Sequence, residues 1–358
     1  MRISYQLQQS QERIEGLDMA TIIEYIEPLL QGKNLTLEQS MNLLDTVFEG
    51  QISEVQIAAF LTAMRIKGAT AAELAGLAKS LRKHAVAVET GINNLVDTCG
   101  TGGSAVKSFN ISTAAAIVAA GAGVYIAKHG NRGITSNCGS ADVLAELGVK
   151  VDPSVETIAE CIKQAHIGFM FAPMFHPAMK YVQPIRKNLG FRTVFNILGP
   201  LANPAGAKSQ VLGVADERLM ETIAETLKLL GSRYAMVIHS NGMDEISNLT
   251  TTKIIELKEN KITKKELNPK EVGIGLADAE ELKVTDSKTS AEIIRKILKG
   301  EETGARKDIV ILNASAAIIA GELVSDFKSA IRKADEAIKS GKALECLEKL
   351  IKISNHKF

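Results

Sequence analysis

Residues 97–113 read DTCGTGGSAVKSFNIST, and their types suit the handling of anions. After the short apolar run NLVDTC, three glycines (Gly100, Gly102 and Gly103) arrive within four positions. Ser104, Ser108, Asn110, Ser112 and Thr113 then line up hydroxyl and amide groups, with Ile111 among them, ahead of the alanine-rich AAAIVAAGAG. A strand, a glycine cluster and a helix start let bare backbone N–H groups approach a phosphate, while the helix N-terminus adds partial positive charge. A Walker A loop is excluded, because Val106 stands where the last glycine before Lys107-Ser108 belongs. Gly100-x-Gly102-x-x-Ala105 meets the dinucleotide fingerprint at first. That motif also wants an acidic residue about 20 positions on to hold a ribose. The next strand ends in Lys128-His129-Gly130-Asn131-Arg132, which is basic and suits further phosphate, so a nicotinamide cofactor is disfavoured. Asp244-Glu245 follow the run RYAMVIHS, on the loop at its carboxyl end. Adjacent carboxylates there offer hard oxygen ligands to Mg²⁺, with water and phosphate supplying the rest. Taken alone, such a pair is commonly solvated surface, and each hydroxyl at the helix start is equally an N-cap.

The elements that must position these residues show two textures. From about Met19 to Val88 the pattern is helical, with apolar residues at three- and four-residue spacing and Gly32, Gly50 and Gly68 at the ends of runs. Thr36 and Ser53 are the expected N-caps. After Gly91, short β-branched runs alternate with helical ones: NLVDTC, ISTAAAIVAAG, VYIAKHG, SADVLAELG, SVETIAECIKQA, GFMFAP, SQVLGVA, ERLMETIAETLKLLG and RYAMVIHS. The fold class expected is α/β: a small N-terminal all-helical domain, and a larger domain with a mainly parallel central sheet flanked by helices. The expected limits are an extension over 1–18, a helical domain over 19–92 joined by 176–200, and a catalytic domain over 93–175 and 201–358. The stretch Lys253 to Ile274 reads as exposed hairpin strands near an edge, and the lysine-rich tail as a solvated helix face.

Composition narrows the function classes. The chain has 358 residues, 46% apolar and 23% charged, enough for one large or two ordinary domains. With 42 basic and 41 acidic residues the net charge is +1, which argues against nucleic acid or an acidic membrane surface as partner. The N-terminus has no apolar signal core, and the longest apolar stretch, Ala114 to Ala127, is too short and too glycine-broken to span a bilayer. Cys99, Cys138, Cys161 and Cys346 are widely spaced, as in a reduced cytoplasmic protein.

Over nearly the whole chain from Met19, the segments GTGG, FNIST, AKHGNR, GSADVLAELG, HPAMKYVQPIRKNLGFRTVFNILGPLANPA and NGMDEIS resemble the anthranilate phosphoribosyltransferases of tryptophan biosynthesis. The resemblance implies a helical domain on a larger α/β domain, an active site in the cleft, and homodimers formed through the small domains. It implies transfer of the ribosyl phosphate of phosphoribosyl pyrophosphate (PRPP) to the amino group of anthranilate, with release of pyrophosphate and with Mg²⁺, two ions, as cofactor. By the same resemblance the PRPP site takes in Gly100, Gly102, Gly103, Ser104, Ser108, Asn110, Ile111, Ser112 and Thr113. It continues through Lys128, His129, Gly130, Asn131, Arg132, Gly133, Ile134, Thr135, Ser136 and Ser140. Gly100, Asn131 and Arg186 match the anthranilate contacts, a guanidinium being suited to a carboxylate. Ser112, Asp244 and Glu245 match the metal positions.

No catalytic base is expected. The aniline nitrogen is already nucleophilic, and holding the partners together serves an oxocarbenium-like reaction. His129 is read as structural or as a ring against the acceptor, and His176 as a helix cap. One departure is Ser104, where the family usually has aspartate, which bears on the second metal position. Cys138, often serine in the family, is a near-isosteric change. A pyrimidine-nucleoside phosphorylase and a non-catalytic nucleic-acid-binding relative are the alternatives.

Overall fold

A computed structural model describes residues 22–133 and 138–356. The N-terminal extension and the site positions Ile134, Thr135 and Ser136 lie outside the described residues. The chain forms two compact units, one of Met1–Ala85 with His176–Ala202, the other of Val86–Phe175 with Asn203–Phe358.

In the first unit, helices over 22–30, Leu37–Phe48, Glu54–Lys67 and Ala71–Lys83 close on a core that includes Leu43, Leu44, Phe60, Leu61, Leu74 and Leu77. Three of them begin with reciprocal capping boxes, Thr36 with Gln39, Ser53 with Gln56 and Thr70 with Glu73. Glu73 is fully buried. Its carboxylate accepts from Lys67 Nζ and the Thr70 N–H, each at 2.8 Å, and from the Leu35 N–H at 2.9 Å. One buried charge thus ties two connections, 31–36 and 68–70, and has its lone pairs occupied, the condition under which a buried ion pair is tolerated. The segment from His176 adds a 3₁₀ turn, Pro177–Tyr181, and the helices Gln183–Leu189 and Phe195–Leu198. Arg82 Nε donates to the Leu201 carbonyl at 2.7 Å and fastens the end of this segment.

The second unit is built on one sheet in the order β3-β2-β1-β4-β5-β6-β7. The strands are β1 Leu95–Gly100, β2 Tyr125–Gly130, β3 Ile167–Phe171, β4 Ser209–Gly213, β5 Tyr234–His239, β6 Thr252–Lys258 and β7 Lys261–Leu267. The first five are mutually parallel, and β6 and β7 add antiparallel. The β6–β7 hairpin turns on Glu259 and Asn260, both at positive φ, and β7 is largely exposed at the edge. The alanine helix Ile111–Gly121 is buried almost throughout, because its small side chains let neighbouring helices approach closely. A Cβ on Gly121 would lie 2.6 Å from the Ala343 backbone. Helix Ala305–Ala320 packs on it from within the core. The lysine-rich tail forms Phe327–Lys339 and Lys342–Asn355, which are amphipathic rather than merely solvated: Ala334, Ile338, Leu347 and Leu350 go into the core. No described helix is long and apolar enough to cross a membrane, and none of the four cysteines is in a disulfide.

His176 departs from its expected role. It occupies the N-cap position of the 3₁₀ turn, but its ring makes no capping hydrogen bond. Burial holds its pKa down at about 4, against the Leu81 backbone, which raises it. The unfolded chain therefore takes up a proton as pH falls through the ordinary histidine range, and the folded chain does not until about pH 4. Between pH 7 and 4.5 the wild type should lose ~2 kcal/mol more stability than His176→Gln, as measured by urea unfolding at both pH values. Equal losses in the two proteins would show that the ring carries no such linkage.

Candidate functional site

The chain leaves β1 toward β2 and β3 and returns to the other side of β1 as β4, so the carboxyl ends of β1 and β4 bound the switch point of the sheet. Gly100 and Gly213 are paired there. After β5, Asn241 and Gly242, both at positive φ, make the tight two-residue reversal that an Asn-Gly pair favours. This turn swings Asp244 across the strand ends. A Cβ on Gly213 would lie 1.7 Å from the Asp244 carbonyl oxygen, and one on Gly100 would lie 2.4 Å from Asp244 Oδ2. The same Oδ2 accepts the Gly102 N–H at 3.0 Å, and the Gly242 carbonyl accepts the Ala105 N–H at 2.9 Å. The glycine loop and the acidic turn, 142 residues apart in sequence, are hydrogen-bonded to each other.

Glu245 is the least comfortable group. Burial, reinforced by Asp244 beside it, holds its carboxyl well above the usual range, with Lys128 opposing. Its Oε2 is buried without a hydrogen-bond partner. Two adjacent carboxylates, one with an unpartnered oxygen, fit a hard divalent cation that would take its other ligands from water and phosphate. No group of three or more His, Cys, Asp and Glu side chains able to hold an ion alone occurs among the described residues. The turn is anchored beyond Glu245 by Asn313, whose side-chain amide accepts the Ile246 N–H at 2.9 Å and donates to the Ile246 carbonyl at 2.8 Å.

At the helix start, Asn110 Oδ1 accepts the Thr113 N–H at 3.1 Å, so this side chain does cap. The Asn110 N–H donates to Ser290 Oγ at 2.9 Å. Ile111 is core, Ser112 is half-buried, and the hydroxyls of Thr113 and Ser104 are buried without partners. Ser108 bridges to Lys283. Lys128 is not at a strand end. It lies inside β2, 1% exposed, and its Nζ donates to the Thr98 carbonyl at 2.5 Å and lies 3.4 Å from Ser112 Oγ. Burial lowers its pKa, while Asp97, Cys99 and Glu245 raise it. Its charge therefore acts from beneath the glycine loop and helix start. Asp97, fully buried, accepts the His129 N–H at 3.2 Å.

The loop after β2 is held by Asp142, which accepts from the N–H groups of Gly133 at 2.9 Å and Gly139 at 3.0 Å and from Arg132 Nη1 at 2.9 Å. Burial would raise the Asp142 pKa, but these donors outweigh it and the pKa is lowered. Arg132 thus spends its charge on Asp142 and lies 5.7 Å over the Phe171 ring. Gly130 and Gly139 are required by contact: a Cβ would meet Phe169 Cε2 at 2.8 Å and the Gly133 nitrogen at 2.2 Å respectively. Ser140 opens the next helix, packed against Gly130, and Asn131 is exposed. Arg186 belongs to the first unit. It takes the Gln183 side chain at 3.2 Å and lies 5.5 Å over Phe195, and burial lowers its pKa.

Sequence reasoning missed Gly213, Asp142 and Asn313. Asp142 carried a signal, standing three residues after Gly139 as a capping-box acid. Asn313 was an isolated amide in an apolar helix, and Gly213 carried none.

Residues 23–85 match the helical bundle domain of a glycosyl transferase family and residues 92–344 its a/b domain. The anthranilate phosphoribosyltransferase of Acetivibrio thermocellus is 47% identical over 331 residues, which is 92% of this chain and 96% of that one. Among solved structures, the anthranilate phosphoribosyltransferase of Thermus thermophilus superposes with a TM-score of 0.88 at 37% identity, covering 92% of this chain and 99% of that one. The Saccharomyces cerevisiae enzyme in complex with PRPP and Mg superposes with a TM-score of 0.84 at 29% identity over 94% of this chain and 98% of its own. A glycine loop hydrogen-bonded to an acid pair at the switch point, on a chain so alike from end to end, belongs to the anthranilate phosphoribosyltransferase family.

Proposed function

We propose that the chain transfers the 5-phosphoribosyl group of PRPP to the amino group of anthranilate and releases pyrophosphate. The observation that carries this reading is the hydrogen-bonded junction of the Gly100–Gly103 loop with Asp244 at the β1/β4 switch point. PRPP is a polyanion whose leaving group departs with growing charge, so donors fixed in advance accelerate the step. Backbone N–H groups of the glycine loop, the hydroxyls of Ser108 and Ser112, Asn110 and the loop Asn131–Gly133 bind and orient the phosphates. Lys128 supplies positive charge from below, without a flexible stem exposed to solvent. Asp244 and Glu245, with Ser112, would hold Mg²⁺, of which two ions are proposed. When bound, the cation neutralises pyrophosphate charge as the bond to the anomeric carbon breaks.

Arg186, Asn131 and Gly100 receive anthranilate, and the half-buried guanidinium of Arg186 suits a carboxylate. The amine is uncharged at neutral pH and no side chain is assigned as its base, so rate comes from holding the reactants together. Ser104, in the place of the family's usual aspartate, leaves the loop less negative beside the polyanion. A homodimer through the helical unit and a cytoplasmic location complete the reading. The dimer is supported by the apolar side chains of Ile23, Leu30, Val55 and Ile66, which are 53–81% exposed.

Anthranilate fluorescence should fall on addition of PRPP with Mg²⁺, with stoichiometric pyrophosphate, and should persist in EDTA. Persistence under every metal condition, with phosphorolysis of a pyrimidine nucleoside instead, would transfer the chain to another activity. Gly213→Ala forces the Asp244 backbone to move and should lower kcat/KM for PRPP about 100-fold. Gly275→Ala, where a Cβ meets nothing within 4 Å, should match wild type. Equal activity of the two variants would remove the Asp244 contact from the argument.

A further inference from the structure

We propose that His239 is a positioning residue for the transfer, its neutral ring fixing the turn that carries Asp244 and Glu245. This deepens the reading above and rests on it.

His239 closes β5 and is 7% exposed. Its Nδ1 lies 2.9 Å from the Val214 carbonyl, just past β4, and its Nε2 accepts the Gly242 N–H at 3.3 Å. A carbonyl only accepts and an amide N–H only donates, so the geometry calls for the proton on Nδ1 and the lone pair on Nε2. Gly242 is the second residue of the reversal before Asp244. Its opposite side, the carbonyl, accepts the Ala105 N–H from the glycine loop at 2.9 Å. One imidazole therefore links the end of β4 to the acidic turn, and through that turn to the phosphate loop.

The ring has one rival partner. Glu217 Oε2 lies 3.9 Å from Nε2, too far for a hydrogen bond, and Glu217 is engaged by Lys253 at 2.6 Å. The next acid, Asp216, is paired with Arg218 at 2.8 Å. The short contacts leave Nε2 to Gly242.

Two substitutions separate the two ring nitrogens. His239→Gln places a carbonyl oxygen near the Nε2 position and keeps an acceptor for Gly242. His239→Asn places its amide near the Nδ1 position, keeps a donor for Val214 and leaves the Gly242 N–H without an acceptor. In the metal-free protein, amide hydrogen exchange at Gly242 and Ala105 should quicken about tenfold in His239→Asn and stay near wild type in His239→Gln. With Mg²⁺, the KM for PRPP should rise by about the same factor in His239→Asn alone, with the KM for anthranilate unchanged. Imidazole ¹⁵N shifts of the wild type should report the Nδ1–H tautomer. This measurement stands even if a variant fails to fold. An Nε2–H tautomer, or equal exchange at Gly242 in the two variants, would overturn the proposal. So would parallel changes in both KM values that track thermal stability. Absence of transfer in the wild type would instead sink the functional reading, while the exchange and tautomer results still decide the role of His239.

Discussion

The second unit is organised around one close approach, that of Asp244 to the bare ends of β1 and β4. Its carbonyl oxygen and one carboxylate oxygen occupy the space that Cβ atoms would need at Gly213 and Gly100. That packing requires two adjacent parallel strands ending level with each other, which the β3-β2-β1-β4-β5 order provides. It also requires a reversal after β5 tight enough to bring an acid back over the sheet within a few residues, which Asn241-Gly242 supplies. With Asp244 in place, the Gly102 amide has an acceptor and the glycine loop has a fixed course before any ligand arrives. The alanine helix can then begin directly beneath the loop, because its small side chains let Ala305–Ala320 and Lys342–Asn355 close around it.

The same region concentrates buried charge. Asp97, Lys128 and Glu245 lie within or beside the central strands, and burial pushes each of them toward its neutral form. Lys128 opposes that push in both acids, and they oppose it in Lys128, so the three groups are electrostatically linked. Such a cluster contributes little to folding. In the proposed reaction its value is fixed polarity that need not reorganise when a polyanion binds.

Much of this was legible in the sequence, for a physical reason. Strand-helix alternation, the capping residues Thr36 and Ser53, and the β6–β7 hairpin are local patterns, and the structure has all of them. The glycine cluster and Asp244-Glu245 were likewise visible as short runs of suitable chemistry. What could not be read was their hydrogen bond, which depends on strand order rather than on any neighbourhood in the chain. Lys128 read as part of the basic end of a strand, because its register inside β2 is invisible until the flanking strands are placed. His176 looked like a cap because its position relative to Pro177 is right for one, while packing within the first unit put the ring elsewhere. Ser104 is the residue of the glycine loop whose buried hydroxyl has no partner, which its place among small polar residues in the sequence did not signal.

The antiparallel pair that ends the sheet also bears on behaviour in a crowded solution. A parallel α/β sheet left with a bare flank would offer a row of unpaired amides to any extended chain it met. Here the outermost strand, KITKKEL, is almost all exposed and carries three lysines. Exposed lysines on an edge strand discourage the addition of a further strand. The exposed β7 is thus a guard against strand addition, placed at the end of the sheet farthest in strand order from β3.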